Sequence, residues 1–300
     1  MDSTLTQLSE ALSSAVEQVA ASAVVIHARP RASSSGVIWQ PGIVVTADHT
    51  VQFDEAHVRL PDGTEAKAAV AARDRATDLA VLRVEAASTA PRFANLDTLK
   101  PGNLALAVGR TDQGLTATMG IISTVGGPWR TWRGGLLDRF VRLDVAMYAS
   151  SSGAAVADAT GAVLGIASAG LSRTSAIAIP RSTVDQVVSE LLTRGRVARG
   201  YLGVGLQPVP LPEHLKSKLT SQQDGGVIVL SVEPGGPAEA GGLFIGDVVL
   251  DLNGQPVTDT DEMQAALGAA AVGSAVRVTV LRGGDVRTVE VTVGERPRKG

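Results

Sequence analysis

Residues 43–51 read IVVTADHTV, residues 75–82 read RATDLAVL, and residues 144–156 read DVAMYASSSGAAV. The first stretch predicts a strand that ends in a polar turn with His49, and the second places Asp78 directly before a buried strand. The third predicts a loop of small residues, with Ser152, between two strands. A serine hydroxyl becomes a good nucleophile when a base takes its proton and a carboxylate orients that base. The order His49, Asp78, Ser152 can therefore supply such a triad if the three loops converge.

The sequence around these stretches is typical of a β-rich domain. From Val24 to about Ile179, short runs of Val, Ile and Ala alternate with turn signals such as Pro61-Asp62-Gly63. About a dozen strands at this spacing indicate a pair of all-β barrels or a sandwich. A helix is predicted over 182–193, with Gly195 as its stop signal.

A second, smaller unit follows a short basic linker that runs from Arg194 to Gly200. Its strands and its short helix, predicted over 261–267, extend to about Val293. A chain of 300 residues is long for one domain and comfortable for two. We therefore expect one domain over residues 1–195 and another over residues 196–300.

The composition excludes several classes of function. The chain has no cysteine, and none of its four histidines forms an HxxxH or HxxH pair, so we expect no metal site and no cofactor. A net charge of −3 and an aromatic content of 3% argue against a nucleic-acid partner. No apolar run reaches the roughly 18 residues that a membrane helix needs.

The N-terminus predicts an amphipathic helix and not a secretion signal. An apolar residue recurs at three- and four-residue spacing, which indicates an amphipathic helix that docks on another surface, with a membrane-surface helix as the alternative: Leu5, Leu8, Leu12, Val16 and Val19. No early Lys or Arg precedes a compact apolar stretch, as a signal peptide would require. We therefore expect a cytoplasmic protein, and a periplasmic one only if the start of the chain is misassigned.

Taken together, the motifs resemble the HtrA/Deg family of trypsin-like serine proteases that carry a PDZ domain. VVTADHTV resembles the histidine segment of that family, TDLAVLRV its aspartate segment, and DVAMYASSSGAAV its nucleophile loop. The resemblance implies a mainly β protein, with a trypsin-like double β-barrel followed by a smaller α+β PDZ domain. It implies that His49 is the general base, that Asp78 orients it, and that Ser152 is the nucleophile. The expected function is a serine endopeptidase that cleaves unfolded or misfolded proteins.

The nucleophile loop departs from the family pattern Gly-Asn-Ser-Gly-Gly-Pro. In the family, the backbone N–H groups of the nucleophile and of the residue two before it form the oxyanion hole, which here means Ser152 and Ser150. The upstream residue is normally glycine, and a side chain there would cost on the order of 1–3 kcal/mol. We expect a slow or conditional protease. The alternative, favoured by Ser150, Ala154 and Ala155, is an inactive pseudo-protease that acts as a binding or chaperone module.

The second domain resembles bacterial PDZ domains at two places. Tyr201-Leu202-Gly203-Val204 resembles the loop that binds the carboxylate at the end of a peptide, which then adds a strand to the sheet edge. The segment GDVVLDLNGQPV, with a tight-hairpin signal at Asn253-Gly254, strengthens this interpretation. The expected partners are unfolded proteins and peptides with apolar ends.

Other features leave open questions. By the resemblance, the walls of a specificity pocket come from Tyr148–Ser151 and Ser168–Ile177. Met147 and Ile177 are apolar and neither stretch contains an acidic residue, so we expect a preference for small or medium apolar side chains and not for Lys or Arg. HtrA-like proteins are commonly trimers held by N-terminal aromatic residues, but no aromatic residue precedes Trp39, so a homotrimer stays an open alternative. Trp129 and Trp132 either mark a contact surface or lie in a loop folded over the barrel. We interpret Ser33–Gly36 as a hairpin loop, and His27, His57 and His214 as structural residues.

Overall fold

The structure is a computed structural model that describes residues 3–86, 89–148, 151–197, 200–216, 223–267 and 272–295. The chain divides into two compact units, Met1–Val197 and Ala198–Gly300. Each unit has a hydrophobic core of its own. The first unit is built from two barrels and the second from one mixed unit of strands and short helices.

The first unit begins with helix α1, Thr4–Ala20. Its N-cap is Ser3, whose hydroxyl oxygen accepts a hydrogen bond from the Thr6 amide at 3.2 Å. The C-terminal half of the apolar stripe packs on the domain, where Val19 is fully buried. Leu5 and Leu8, in contrast, are 77% and 48% exposed. The predicted helix therefore packs on this domain through its C-terminal half, and the first two turns of its apolar stripe are exposed.

Six strands close the first barrel, in the order β1-β2-β3-β6-β5-β4. Adjacent strands in this barrel run antiparallel, and the alternate side chains that point inward form one core cluster. The strands are β1 (Ala23–His27), β2 (Ser34–Gln40), β3 (Ile43–Ala47), β4 (Glu55–Arg59), β5 (Glu65–Asp74) and β6 (Leu79–Val84).

The second barrel also has six strands, in the order β11-β14-β13-β12-β7-β8, and a separate two-stranded hairpin, β9-β10. Helix α2 follows the last strand and ends at Gly195, whose left-handed backbone (φ +69°) gives the predicted stop. The elements are β7 (Leu104–Thr111), β8 (Gly114–Gly126), β9 (Trp129–Arg130), β10 (Leu136–Leu137), β11 (Phe140–Asp144), β12 (Ala155–Ala157), β13 (Val163–Ser168), β14 (Ala176–Pro180) and α2 (Arg181–Arg194).

The largest core cluster lies between the two barrels and joins them. It combines side chains of β3 and β6 from the first barrel with side chains of β7, β13 and β14 from the second. Both α1 and α2 pack against it through their buried valines. Because this interface is continuous with both helices, residues carried at its edge by either barrel are held in fixed relation to each other.

Two loop predictions change in the structure. Ser34, Ser35 and Gly36 belong to β2 and not to a hairpin loop, which instead covers residues 28–33. Their composition suggested a loop, but Ser35 is buried and donates a hydrogen bond to the Arg110 carbonyl at 3.0 Å. A Cβ on Gly36 would lie 2.4 Å from Ile26, so glycine here allows close strand packing.

The tryptophan pair is divided between the two alternatives. Trp129 packs edge-on against Phe140, with ring centroids 5.1 Å apart, so this part of the hairpin is folded over the barrel. Trp132 at the hairpin tip is 71% exposed, with the Arg133 guanidinium 4.4 Å from its ring centroid.

In the second unit, strands β16-β17-β18-β20-β21 form one sheet path, β19 pairs with β18, and β15 pairs with β22. The strand β16 lies at the edge of this path. The elements are β15 (Gly200–Tyr201), β16 (Val204–Pro210), α3 (Glu213–Lys216), β17 (Gly225–Val232), α4 (Pro237–Ala240), β18 (Val248–Leu252), β19 (Gln255–Pro256), α5 (Thr260–Ala266), β20 (Ala275–Arg282), β21 (Asp285–Thr292) and β22 (Gly294–Glu295).

A buried ion pair stabilises this second unit. Arg282 donates to both carboxylate oxygens of Asp247 at 2.7 Å, and the Phe244 amide donates to the same carboxylate at 2.8 Å. Burial alone would raise the pKa of Asp247, but these hydrogen bonds and the positive charge of Arg282 hold it below its usual value. The turn at Gly246-Asp247 is thereby tied to β20.

In the parts of the chain that the structure describes, every helix is too short or too polar to cross a membrane.

Candidate active site

The register of two strands brings His49 and Asp78 together. In the antiparallel pair β3–β6, Ala47 lies opposite Leu79, so the residues that follow β3 meet the residues that precede β6. The Asp48 amide donates to the Asp78 carbonyl at 3.0 Å, which continues this pairing by one step. The chain then turns through a short 3-10 helix, Asp48–Thr50, whose Thr50 hydroxyl donates to the Ala47 carbonyl. His49 thus projects from a braced turn.

Asp78 has a strained backbone that a capped turn maintains. Its φ is +60°, in the left-handed region that costs a residue with a Cβ roughly 1–2 kcal/mol. The preceding turn is capped by Asp74, whose carboxylate accepts hydrogen bonds from the Ala76 and Thr77 amides and from the Thr77 hydroxyl. This conformation points the Asp78 carboxylate at His49. The strain is therefore a local cost of placing the carboxylate.

The His49–Asp78 pair has the geometry that a catalytic base requires. The two Asp78 carboxylate oxygens lie 2.9 and 2.8 Å from His49 Nδ1, and one of them also accepts from the His49 amide at 3.0 Å. The Asp78 side chain is only 1% exposed, whereas that of His49 is 29% exposed. A carboxylate at Nδ1 favours the tautomer with its proton there, which leaves Nε2 free to take a proton from a nucleophile.

Ser168 is a third partner of this pair that the sequence did not identify. Its hydroxyl donates to Asp78 Oδ2 at 2.5 Å and is fully buried. In the sequence it appears only as the last residue of an apolar strand, and we expected it at a pocket wall. Nothing in its neighbours distinguishes it, because the contact depends on the closure of the second barrel onto the first.

The predicted nucleophile is brought to the same place by the second barrel. The Ser152 side chain is buried, and its Oγ accepts a hydrogen bond from the Ala169 amide at 3.3 Å. The next residue, Gly153, has φ +87°, and a Cβ there would lie 2.1 Å from the Ser35 carbonyl and 2.3 Å from Thr46 Oγ1. Glycine is therefore required directly after Ser152, both for conformation and for space.

One segment, Ser168–Gly170, touches all three predicted triad residues. Ser168 binds Asp78, the Ala169 amide binds Ser152, and a Cβ on Gly170 would lie 2.7 Å from His49 Nδ1. The three predicted residues thus converge around the end of β13. Among the described residues, the Ser152 hydroxyl is hydrogen-bonded to Ala169 and not to the His49 ring. Catalytic hydrogen bonds are often completed only when a substrate is bound.

The rest of the nucleophile loop is described in part. Ser150, one of the two predicted oxyanion-hole residues, lies outside the described residues, and its role stays a prediction. The Ser151 amide donates to the Tyr148 carbonyl at 2.9 Å. Ala154 and Ala155, which differ from the family pattern, are buried, Ala154 in the core of the second barrel and Ala155 in the cluster between the barrels. They therefore serve packing.

The expected wall residues of the specificity pocket fall into different environments. Met147 is partly buried and packs against the core of the second barrel. Ile177 is buried in the cluster between the barrels, so its side chain belongs to the core and does not face a pocket. The sequence could not separate these cases, because a buried strand is apolar on both faces.

The second unit presents the predicted peptide-binding loop beside an edge strand. Gly203, between β15 and β16, has φ +78° and accepts a hydrogen bond from the Glu233 amide at 2.8 Å. The Leu202 carbonyl accepts from the Ala238 amide, and the Leu202 side chain is buried in the core. The Tyr201 hydroxyl donates to the Glu233 carboxylate. Because the loop carbonyls are held by the domain itself, the loop is fixed next to the open edge of β16.

Of the remaining histidines, His27 and His57 face each other in the pair β1–β4. His27 Nε2 lies 2.9 Å from Asp112 Oδ1, which fits a structural contact at the domain surface. The side chain of His214 lies outside the described residues.

Comparison with known proteins supports both halves of the chain. A family described as Trypsin-like peptidase domain matches residues 34–166, and a PDZ domain family matches residues 200–293. A probable periplasmic serine endoprotease, DegP-like, from Brucella suis biovar 1 is 36% identical over 282 residues. That match covers 90% of this chain and 54% of the relative, so the chain spans about half the length of the curated relatives it matches.

Solved structures cover nearly the whole chain. The HtrA-type protease AlgW with tripeptide is 30% identical, with a TM-score of 0.79, and the match covers 96% of this chain and 98% of that one. The serine endoprotease from Yersinia pestis is 28% identical with a TM-score of 0.77, over 95% of this chain and 98% of that one. The predicted fold, a double β-barrel followed by a PDZ domain, is confirmed.

One expectation is corrected by the same comparison. The sequence led us to expect a cytoplasmic protein, but the curated relatives from Brucella suis and Rhizobium meliloti are named periplasmic endoproteases. The expectation rested on the composition of residues 1–23 alone, and the names of the relatives overturn it.

The two matched domains in their order, the near-complete overlap with HtrA-type structures, and the convergence of His49, Asp78 and Ser152 lead to one conclusion: this chain belongs to the HtrA family of trypsin-like serine proteases with a PDZ domain.

Proposed function

We propose that this chain is an HtrA-type serine endopeptidase that cleaves unfolded or misfolded proteins, and that its PDZ domain binds peptide segments of them. The observation that carries the proposal is the His49–Asp78 pair. The Asp78 carboxylate is buried and accepts a hydrogen bond from the Ser168 hydroxyl. The Ser152 hydroxyl accepts one from the neighbouring Ala169 amide. The names of the relatives, which are serine endoproteases and HtrA-type proteases, support the same reaction.

In this mechanism, His49 Nε2 takes the proton from Ser152 Oγ while that oxygen attacks the carbonyl carbon of the scissile peptide. The negative charge of Asp78 stabilises the imidazolium that forms. His49 then gives the proton to the leaving amine, and the acyl group stays on Ser152. A water molecule, deprotonated by His49, hydrolyses this ester and restores the serine.

The backbone amides of Ser152 and Ser150 are the proposed donors to the oxyanion. Loss of one such donor typically lowers turnover by about 10²–10³. A side chain at residue 150 disfavours the conformation that aims its amide at the substrate, so we propose that turnover is slow until a bound ligand orders the loop. The pseudo-protease alternative therefore depends on the side chain of Ser150. The other two departures, Ala154 and Ala155, do not favour it, because both are buried packing residues.

The deciding experiment is labelling of the full chain with a fluorophosphonate probe at neutral pH, with mass spectrometry to locate the adduct. We expect an adduct on Ser152 that is lost in Ser152→Ala and in His49→Ala. The matched control is Ser151→Ala, which removes a neighbouring hydroxyl and leaves the triad intact. A folded protein that gives no adduct, with or without an apolar C-terminal peptide, would establish the binding-module alternative.

The PDZ part of the proposal is tested separately. We propose that the segment Tyr201–Val204 binds the end of a peptide, which adds to the open edge of β16. Gly203→Val should abolish peptide binding, because the φ of +78° excludes a β-branched residue. Gly235→Val has a similar φ of +71° on the neighbouring turn and is the matched control for strain alone. Equal binding by both variants would contradict the assignment.

We further propose that the protease unit assembles with copies of itself. Leu5 and Leu8 of α1 are exposed, and so are Leu115, Met119 and Ile121, which recur on alternate residues of β8. Single exposed leucines are ordinary, but these residues lie in regular apolar rows. Light scattering of the wild type and of Leu8→Glu tests this proposal. A monomeric wild type would refute it.

A further inference from the structure

An arginine outside the three triad motifs binds the turn that carries His49. Arg73, near the end of β5, donates through Nε to Asp48 Oδ1 at 2.5 Å. Its Nη2 donates to the Val51 carbonyl at 2.5 Å and to the Asp48 carbonyl at 3.2 Å. One guanidinium therefore binds the residue before His49 and the second residue after it.

The contact is an ion pair in an enclosed place. The Asp48 side chain is 3% exposed and that of Arg73 is 24% exposed. A buried carboxylate is costly unless it is paired, and Arg73 is the partner of Asp48. Asp48 directly precedes His49 in the same tight turn, so an unpaired charge on Asp48 would act on the catalytic base. Arg73 compensates this charge.

The residue after Arg73 supports the other turn of the site, the one that carries Asp78. Asp74, the next residue, caps the turn that gives Asp78 its left-handed backbone. The end of β5 thus braces His49 through residue 73 and Asp78 through residue 74. A change in the Arg73 contact would alter the place of the imidazole relative to the carboxylate that orients it.

We propose that Arg73 is a positioning residue for the catalytic base: it clamps the 48–51 turn and neutralises Asp48, so that Asp78 is the carboxylate that acts on His49. The inference rests on the proposed function, because it assigns Arg73 to the same reaction. This role predicts that the protonation of His49 changes when Arg73 loses its charge, whereas a purely structural role predicts no such change. An uncompensated Asp48 would favour the imidazolium form of His49, which cannot act as a base.

Among the described residues, the charged groups shown in contact with this turn are Asp78, which binds His49 from the start of β6, and Arg73, which binds Asp48 from β5. The Asp74 carboxylate is occupied by residues 76 and 77. The segment Ser168–Gly170 brings no charge, and Arg173, on the same connection, is exposed.

The test is the rate of fluorophosphonate labelling at Ser152, measured from pH 5 to pH 9. We expect the midpoint of the acidic limb, which reports the base, to rise by about half to one pH unit in Arg73→Gln. Labelling at pH 7 should fall several-fold. Arg73→Lys keeps the charge, so its midpoint should stay at the wild-type value even if the rate is lower.

Two further variants test the Asp48 charge alone and the removal of both charges together. Asp48→Asn leaves Arg73 without its partner, and its midpoint should fall below that of the wild type. The double variant Asp48→Asn/Arg73→Gln removes both charges, and its midpoint should return to the wild-type value. Arg59→Gln, which breaks a pair with Asp112 at 3.1 Å elsewhere in the same unit, is the matched control and should not move the midpoint.

Failure of this inference is distinct from failure of the proposed function. If the wild type is not labelled at Ser152, the proposed function fails. If the wild type is labelled but Arg73→Gln keeps its midpoint while circular dichroism shows it folded, Arg73 is only a structural residue. If Arg73→Gln does not fold, the opposite shift expected in Asp48→Asn decides the question.

Discussion

The two halves of the catalytic centre are held in place by different means. The first barrel supplies His49 and Asp78 on two turns. Hydrogen bonds hold these turns through the register of β3 and β6, the Asp74 cap, the Ser168 hydroxyl and the Arg73 guanidinium. The second barrel supplies Ser152 on a small-residue loop that backbone hydrogen bonds hold, from the Gly153 amide to the Ala167 carbonyl and from the Ala154 amide to the Ser151 carbonyl. Charged side chains take part in holding the first half, which we call the fixed half, and we expect activity to respond most to changes in the backbone of the nucleophile loop.

The strongest test of the fixed half is Asp78→Asn. The amide would donate where the carboxylate accepts, so His49 would take the wrong tautomer, and we expect turnover to fall by about 10⁴. Initial rates on an unfolded, fluorescence-quenched protein give the measurement. Asp97→Asn, at an exposed position, is the control. A folded Asp78→Asn protein that loses less than tenfold would mean that the pair is not catalytic.

The nucleophile half is tested next by Gly153→Ala. The added Cβ would meet the Ser35 carbonyl at 2.1 Å, so the loop must move and Ser152 with it. A displacement near 1 Å can cost about 10² in rate, and we expect a loss of labelling of at least that size. Gly63→Ala, with φ +88° and no atom within 4 Å of the added Cβ, separates the clash from backbone strain. Similar losses in the two variants would contradict the steric argument.

Ser150→Gly sharpens the comparison in the opposite direction. If the side chain at residue 150 weakens the oxyanion hole, its removal should raise turnover, and a gain of about 10²-fold corresponds to one recovered donor. Ser150→Ala keeps a Cβ and should show no gain. A wild type that already turns over normally, with no change in Ser150→Gly, would show that this loop does not limit the enzyme.

The smallest effect is expected for Ser168→Ala. It removes one of several hydrogen bonds to the Asp78 carboxylate and leaves the bonds from His49 in place. A hydrogen bond to a charged group is worth about 1.5–3 kcal/mol, and we expect roughly a tenfold loss because the others compensate. The rate should be compared with that of Ser123→Ala, whose hydroxyl donates to a carbonyl away from the centre.

The sequence was sufficient where short motifs meet regular strand patterns. The strand at residues 43–47, the left-handed stop at Gly195 and the hairpin at Asn253-Gly254 were all predicted from local rules. The convergence of His49, Asp78 and Ser152 was predicted from their order and from the family resemblance. Motifs suffice here because the residues must have these chemical types to do this reaction.

The residues that position the triad were not predicted, and the reason is physical. Ser168 and Arg73 act through contacts with residues that are far away in the sequence, and each is an ordinary residue in its own stretch. Ser34–Gly36 was interpreted wrongly for a related reason. Small polar residues favour loops unless a neighbouring strand satisfies their hydroxyls, as the Arg110 carbonyl does for Ser35. Tertiary partners decided these cases.

The segment Ser168–Gly170 has a consequence for how mutational energies can be assigned. Because it contacts Asp78, Ser152 and His49 in turn, a change in any of the three is transmitted to the other two through one short piece of backbone. Residues that share such a support have non-additive free energies. Double-mutant cycles within the triad should therefore give large coupling terms, and the rate enhancement belongs to the ensemble of three residues and their common strand, with no meaningful share for each.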